Sequence, residues 1–309
     1  MRVLFVGAGS VGGLFGSLLL DAGVDVSFLV RHHRRAQLLQ SGLAIASSVA
    51  DGSVRRLAVR TVVRDDVPAS DLVVFAVRAP DLDAAIEEAR PAVGASTIVL
   101  PLLNGMRHLA PLTEHFGDRV LGGVAVAGVM SDPDHVVRRL SEDASITFGE
   151  LTGGASERCA DLAARFRPAA FRTVVSSTIT QDMWEKWIFM AAGGAATVLL
   201  GGPIGTVIAV PGGLETVEAV LAEACAVAAA AGHPPRPAAV ESIRHTLTRP
   251  GSPFTTSMYR DFAIGRRTEV EPVLGGLLDE ARALGVDVPL LASAAVRLRV
   301  HEASLELVR

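Results

Sequence analysis

The chain has 309 residues, half of them hydrophobic and 20% charged, with a formal net charge of −4. That length predicts two domains. The composition excludes intrinsic disorder, which needs low hydrophobicity with high net charge, and offers no basic excess with which to bind nucleic acid.

A mean hydropathy of +0.39 raises the question of a membrane span. Trp187 to Val210 is interrupted by Gly193, Gly194, Gly201, Gly202 and Pro203, and Val217 to Gly232 carries Glu218 and Glu223. Neither supplies the ~20 uninterrupted apolar residues of a span, so both read as buried helices and no membrane partner is expected. The apolar N-terminus runs straight into Gly7-Ala8-Gly9-Ser10 with no cleavage-type region, unlike a signal peptide. Cys159 and Cys225 are too few for a disulfide framework or a zinc cage, and the histidines show no ligand spacing. The expectation is a protein of the reducing cytoplasm without a metal.

In chain order, the first thirty residues read as a βαβ unit. Arg2 to Val6 is a strand, and Gly7-Ala8-Gly9-Ser10-Val11-Gly12 follows at once. A helix then presents Leu14, Phe15, Leu18 and Leu19 on one face, and Asp25 to Val30 is the next strand. A GxGxxG run between strand and helix is a dinucleotide fingerprint. Gly7 permits the tight turn, Gly9 lets the backbone approach a pyrophosphate, and Gly12 allows close packing of the helix. The helix N-terminus then offers free N–H groups and partial positive charge to phosphate.

An NAD-selective fold places an Asp or Glu about 20 residues on, to hold the ribose 2′-hydroxyl. This chain has Arg31 there, followed by His32-His33-Arg34-Arg35. A carboxylate repels a 2′-phosphate, whereas a guanidinium binds it, so the predicted cofactor is NADP(H). The alternative is a solvated basic helix start.

Leu43 to Ala46 and Leu57 to Val63, flanking Asp51-Gly52-Ser53, predict a hairpin. Asp71 to Val77 is an apolar strand of the kind found at the centre of a parallel sheet, with Arg78 at its carboxyl end, where open α/β sheets bind ligands. Pro80 to Arg90 predicts a helix, and Ser96 to Leu100 a strand that ends in Pro101-Leu102-Leu103-Asn104-Gly105-Met106. Val120 to Val126 and Ser145 to Phe148 add strands, Glu157 to Phe166 a helix, and Phe171 to Ser176 a last strand or linker. From about residue 177 strand signals fade. Helical patterns cover Ile179 to Thr197, Leu214 to Ala231, Ala238 to Leu247, Glu269 to Leu284 and Pro289 to Leu305. The expected fold class is α/β: a Rossmann-type doubly wound parallel sheet over 1–176, then an all-α domain over 177–309.

Of the 29 basic residues, 28 are Arg and one is Lys, Lys186; Asn occurs once, at Asn104. Arg replaces Lys wherever charge alone is needed, but guanidinium does not release its proton at working pH. In Trp184-Glu185-Lys186-Trp187 the lysine is flanked by bulky apolar residues. Partial desolvation is expected to lower its pKa and make it a proton donor. Ser257-Met258-Tyr259-Arg260-Asp261 and Gly265-Arg266-Arg267-Thr268-Glu269 form a late constellation. Glu269 by itself also reads as a first-turn acid favoured by the helix dipole.

Over nearly its whole length the chain resembles the ketopantoate reductase (2-dehydropantoate 2-reductase) family. The resemblance rests on the N-terminal loop, Asn104-Gly105-Met106, Trp184-Glu185-Lys186, and Ser257-Met258, Asp261, Gly265 and Arg267-Thr268-Glu269 in that order and spacing. It implies hydride transfer from NADPH to the carbonyl carbon of a 2-oxo acid or related ketone, a small-molecule substrate, and a homodimer. Lys186 matches the acid that protonates the developing alkoxide, and Glu269 a glutamate that orients substrate or cofactor hydroxyls. Ser257 matches a residue that holds the substrate carboxylate, and Asn104 one between nicotinamide and substrate. Arg78 stands where the family carries a lysine near the cofactor, and Ala127 aligns with a backbone cofactor contact. Where the family has asparagines four and eight residues after the lysine, this chain has Met190 and Gly194, and a later Asn-Gly pair is Leu274-Gly275. These departures make the expected substrate wall more apolar than one built for ketopantoate. Two other readings are a β-hydroxyacid dehydrogenase acting on another substrate and a non-catalytic NADP-binding regulatory protein.

Overall fold

The apolar run after Met1 forms β1 (Arg2–Val6), followed by α1 (Ser10–Asp21), β2 (Asp25–Leu29) and α2 (His32–Ser41). The computed structural model describes residues 1–46, 53–132 and 134–307. β3 (Leu43–Ala46) and β4 (Val54–Leu57) pair antiparallel, so a hairpin forms, but its second strand precedes the expected Leu57 to Val63; Asp51-Gly52 lies outside the described residues. Of the strand expected over Leu57 to Val63, only Leu57 belongs to the hairpin. β4 ends at Leu57, and β5 (Arg60–Val62) joins a different sheet, parallel to β2. One continuous strand could not pair with both β3 and β2, so Ala58 and Val59 carry the chain across.

β6 (Ser70–Phe75), α3 (Leu82–Ala89), β7 (Val93–Pro101) and α4 (Leu109–Phe116) complete the parallel sheet and its outer helices. Its order is β5-β2-β1-β6-β7, all parallel. Chain order reverses beside β1, and the carboxyl ends there are the ligand position of such sheets. Strand alternation sorts the core. Val3, Phe5, Val26, Phe28, Leu72 and Val74 face α1. Leu4, Val6, Leu29, Val73 and Phe75 face Ile86 of α3 and Leu112 and Phe116 of α4.

β8 (Leu121–Ser131) and β9 (Val137–Glu150) form a long antiparallel pair. The strands expected at Val120 to Val126 and Ser145 to Phe148 belong to this pair and build a second sheet, instead of extending the first. α5 (Glu157–Phe166) is capped by Ser156, whose hydroxyl accepts from the Cys159 N–H, and β10 (Arg172–Val175) pairs parallel with β9. Side chains from both sheets and α1 fill one core, with Leu14, Phe15, Phe28, Ile146 and Phe148 buried together. The glycines of α1 fit that crowding. A Cβ on Gly13 would lie 2.9 Å from Val137, and one on Gly16 2.5 Å from the Phe28 ring.

The rest is helical: α6 (Ile179–Leu200), α7 (Ile204–Val207), α8 (Gly213–Ala230), α9 (Pro237–Leu247), α10 (Ser257–Ala263), α11 (Gly276–Leu284) and α12 (Pro289–Leu307). Short α10 was not anticipated. α11 is preceded by helical Val270 and a π-turn over Glu271–Gly275, so the predicted helix from Glu269 begins one residue later. The core here is aliphatic and small, with Ala191, Ala192, Ala195 and Ala196 of α6 fully buried in one cluster that also holds residues of α8, α11 and α12. By internal contacts the chain divides into residues 1–103 with 108–180, and residues 104–107 with 181–309. No described helix is long and apolar enough to cross a membrane, and both cysteines are free.

Gly12 and Gly9 separate two roles of glycine in the nucleotide loop. A Cβ on Gly12 would lie 2.3 Å from the Gly7 carbonyl oxygen, whereas one on Gly9 would meet nothing within 4 Å. Gly12→Ala is therefore expected to cost about 1–3 kcal/mol in urea unfolding, and Gly9→Ala less than about 1 kcal/mol.

Candidate active site

The glycine loop follows β1 directly. Gly7 has φ +100°, and a Cβ there would press on the Ala76 carbonyl at 2.9 Å, so only glycine fits the turn. The turn is tied to both neighbouring strands, with the Gly7 N–H donating to the Leu29 carbonyl at 3.0 Å and the Ala76 N–H to Val6 at 3.0 Å. Gly9 caps α1 without a side-chain hydrogen bond, and the first turn (Ser10, Val11, Gly12) has no acidic residue. Its leading N–H groups lack intrahelical acceptors. The side chain of Ser10 is within 3.0 Å of Ser131 Oγ at the end of β8. With open space above Gly9 and Ala8 buried beside it, this is a cradle that fits a pyrophosphate.

Arg31 caps α2 at the carboxyl end of β2, and its guanidinium donates to Asp81 at 2.5 Å. Asp81 belongs to the short turn Ala79–Asp81 that Arg78 leads. Arg78 is exposed just beyond β6. Arg34, one helical turn beyond Arg31, is half-buried and reaches back to the Ala8 carbonyl at 3.3 Å; burial lowers its pKa. Ala127 lies on β8 where the register with β9 shifts before Val129, an irregularity of the kind that re-aims backbone groups.

The remaining predicted residues assemble separately, among residues 104–107 and 181–309. Asn104 donates from Nδ2 to Glu269 Oε2 at 2.7 Å, across 165 positions of sequence. The loop that carries it is moulded onto the π-turn. Gly105 has φ +74°, and a Cβ on it would lie 2.1 Å from the Pro272 carbonyl oxygen. Arg107 pairs with Asp279 of α11 and lies over Gly276, where a Cβ would meet Nε at 3.4 Å. Glu269 is thus more than a first-turn acid, since its carboxylate has a defined partner.

Lys186 sits in the second turn of α6. Trp184 and Trp187 flank it, both buried, with ring centroids 4.9 Å apart. Trp184 stacks on His233, and the Trp187 indole N–H donates to the Val273 carbonyl at 2.8 Å. Burial of the amine lowers the Lys186 pKa from the ordinary 10.5 to about 8, against the opposing pull of the Glu269 charge. Neighbouring Glu185 is engaged elsewhere, accepting from the Arg236 side chain at 2.8 and 2.6 Å and from its backbone N–H at 2.9 Å. Burial pushes the Glu185 carboxyl up, but the hydrogen bonds and charge of Arg236 outweigh it and hold the group below the usual range.

Lys186, Glu269 and Asn104 are therefore brought together. Ser257 is exposed as the first residue of α10, and Thr256 caps that helix by accepting from the Tyr259 N–H at 3.2 Å. Gly194 leaves room that Met258 fills, since a Cβ on Gly194 would lie 3.0 Å from the Met258 methyl. Met190 packs half-buried on the core, and Leu274 is fully buried within it. Among the described residues no group of side chains could hold a metal. Sequence reasoning missed Arg34, Asp81 and the Arg107–Asp279 pair. Arg34 had a signal, its spacing of three from Arg31 on a helix, whereas the pairing of Asp81 had none.

The sequence model of the family described as Ketopantoate reductase PanE/ApbA matches residues 3–153, and that of its C-terminal region matches residues 178–302. The chain is 32% identical to an uncharacterized oxidoreductase of Bacillus subtilis, YkpB, over 98% of this chain and 99% of the relative. It is also 32% identical to a 2-dehydropantoate 2-reductase of Halobacterium salinarum, over the same shares of each. Of solved structures, a 2-dehydropantoate 2-reductase from Geobacter metallireducens is similar at 26% identity, with a TM-score of 0.85, over 97% of this chain and 99% of that one.

The geometry around Gly105 is testable without a ligand. Gly105→Ala combines a disfavoured φ with a backbone clash. It is expected to destabilise by about 2–3 kcal/mol in urea unfolding, whereas Asn104→Ala, which removes one hydrogen bond, should cost about 1 kcal/mol.

Proposed function

Because the chain belongs to the ketopantoate reductase family, we propose that it is an NADPH-dependent reductase of a 2-oxo acid, with 2-dehydropantoate (ketopantoate) or a close relative as substrate. The observation that carries this reading is the state of its one lysine, an amine withdrawn from water and facing the Glu269 charge, with Asn104 bonded to the same carboxylate.

The N–H groups of the Gly7–Gly12 loop would hold the pyrophosphate, the Arg31 guanidinium the 2′-phosphate, and Arg78 and the Ala127 backbone other parts of the cofactor. When bound, NADPH supplies a hydride to the carbonyl carbon. As that bond forms, negative charge grows on the carbonyl oxygen. The Lys186 ammonium stabilises it and then transfers a proton from Nζ, giving the 2-hydroxy acid. An amine near pH 8 suits this task, because a general acid works best when its pKa lies close to the working pH. Glu269 keeps the lysine protonated and, with Asn104, aligns the polar groups of the substrate. Ser257 receives the carboxylate.

The substrate wall argues for breadth beyond ketopantoate. Met190 and Gly194 stand where the family's amides are expected, Met258 fills the room at Gly194, and Leu274 lies in the core. A site without partners for a substrate hydroxyl discriminates weakly for it. A 2-oxo acid with an apolar side chain suits this wall at least as well. A panel of 2-oxo acids that includes ketopantoate, followed by NADPH absorbance, ranks the candidates.

Lys186→Ala is expected to lower kcat by about 10²–10⁴; unchanged turnover would remove the mechanism. The donor is lost as pH rises through about 8. In the reductive direction kcat/KM should therefore be level below that pH and fall above it, and Lys186→Ala should lack that limb. Arg31→Ala is expected to weaken NADPH binding far more than NADH binding in a fluorescence titration, and equal losses would count against the 2′-phosphate assignment.

A further inference from the structure

Arg31 is not an idle cation at the end of β2. Its Nη2 donates to Asp81 Oδ1 at 2.5 Å, and the two side chains are 59% and 30% exposed. Asp81 comes from the Ala79–Asp81 turn after β6 and is separated from Arg31 by 50 positions of sequence. An acid at this edge of the sheet runs against the needs of a 2′-phosphate in two ways. It occupies a guanidinium N–H that the phosphate would use, and its negative charge repels a group carrying close to two negative charges. Arg34, one helical turn along, is half-buried and reaches the Ala8 carbonyl of the glycine loop at 3.3 Å, whereas Arg31 is exposed.

We infer that Asp81 is a specificity-determining residue that competes with the 2′-phosphate for Arg31 and so moderates the preference for NADPH over NADH. This rests on the assignment of Arg31 to the 2′-phosphate. An exposed ion pair is weak in itself, so the phosphate can displace Asp81. The carboxylate nevertheless stays within a few ångströms of the bound phosphate and opposes it through partly screened water. NADH has no 2′-phosphate and leaves the pair undisturbed, so only the phosphorylated cofactor pays for the encounter.

The test uses the full chain and binding alone. NADPH and NADH are titrated by fluorescence and 2′,5′-ADP and 5′-AMP by calorimetry, for the native protein, Asp81→Asn and Arg31→Ala. Asp81→Asn, an exposed and nearly isosteric change, is expected to tighten NADPH and 2′,5′-ADP about 3–10-fold and to leave NADH and 5′-AMP within about twofold. Raising the salt concentration should shrink the gain. If Asp81→Asn leaves NADPH unchanged or weakens it while Arg31→Ala loses NADPH selectively, Asp81 is idle or orients Arg31, and this inference is overturned alone. If Arg31→Ala loses both cofactors equally, the 2′-phosphate assignment fails and the inference falls with it.

Discussion

The burial of the Lys186 amine, opposed by the charge of Glu269, is the constraint on which the helical residues converge. Charge is expensive to withdraw from water, and the Lys186 amine shows it in a pKa lowered to about 8. The indole rings of Trp184 and Trp187, on either side of the lysine in sequence, pack on each other, and the adjacent acid, Glu185, is taken up by Arg236. That leaves Glu269 as the carboxylate whose charge the amine feels. The Glu185–Arg236 contact also ties α6 to the start of α9.

Glu269 is fixed by features that have nothing to do with its own charge. Thr268, the residue before it, is held through backbone N–H and hydroxyl by Glu302 of α12. The π-turn that follows gives its Val273 carbonyl to Trp187 and its Pro272 carbonyl to the close approach of Gly105. Irregular helical turns of this kind recur at functional sites. Here the irregularity lets one short segment serve both the lysine helix and the asparagine loop.

Much of the fold was legible because it follows from periodicity. β1, α1 and α5 appear where the apolar runs and the glycine loop place them, and the long Ala-rich patterns became helices. The second sheet was not legible. Its strands read like those of the first, and strand pairing depends on contacts between distant residues that no local pattern records. The same limit explains the divided Leu57 to Val63 segment and the unforeseen α10. In the site, rarity in the composition was informative. A chain that otherwise uses Arg and avoids Asn has one Lys and one Asn; Asn104 bonds Glu269, and the charge of Glu269 acts on Lys186.

The sequence by itself determined that a glycine turn between strand and helix opens a parallel sheet, and which residue types are candidates for the chemistry. Those facts depend on what glycine, lysine and arginine can do as isolated groups. Only the tertiary structure decided which charges act on each other: Glu269 on Lys186, and the pairs Glu185 with Arg236 and Asp81 with Arg31. Charge attraction acts through space and is blind to order along the chain. The partners were therefore settled by packing, and with them the proton affinity of the lysine and the availability of the arginine.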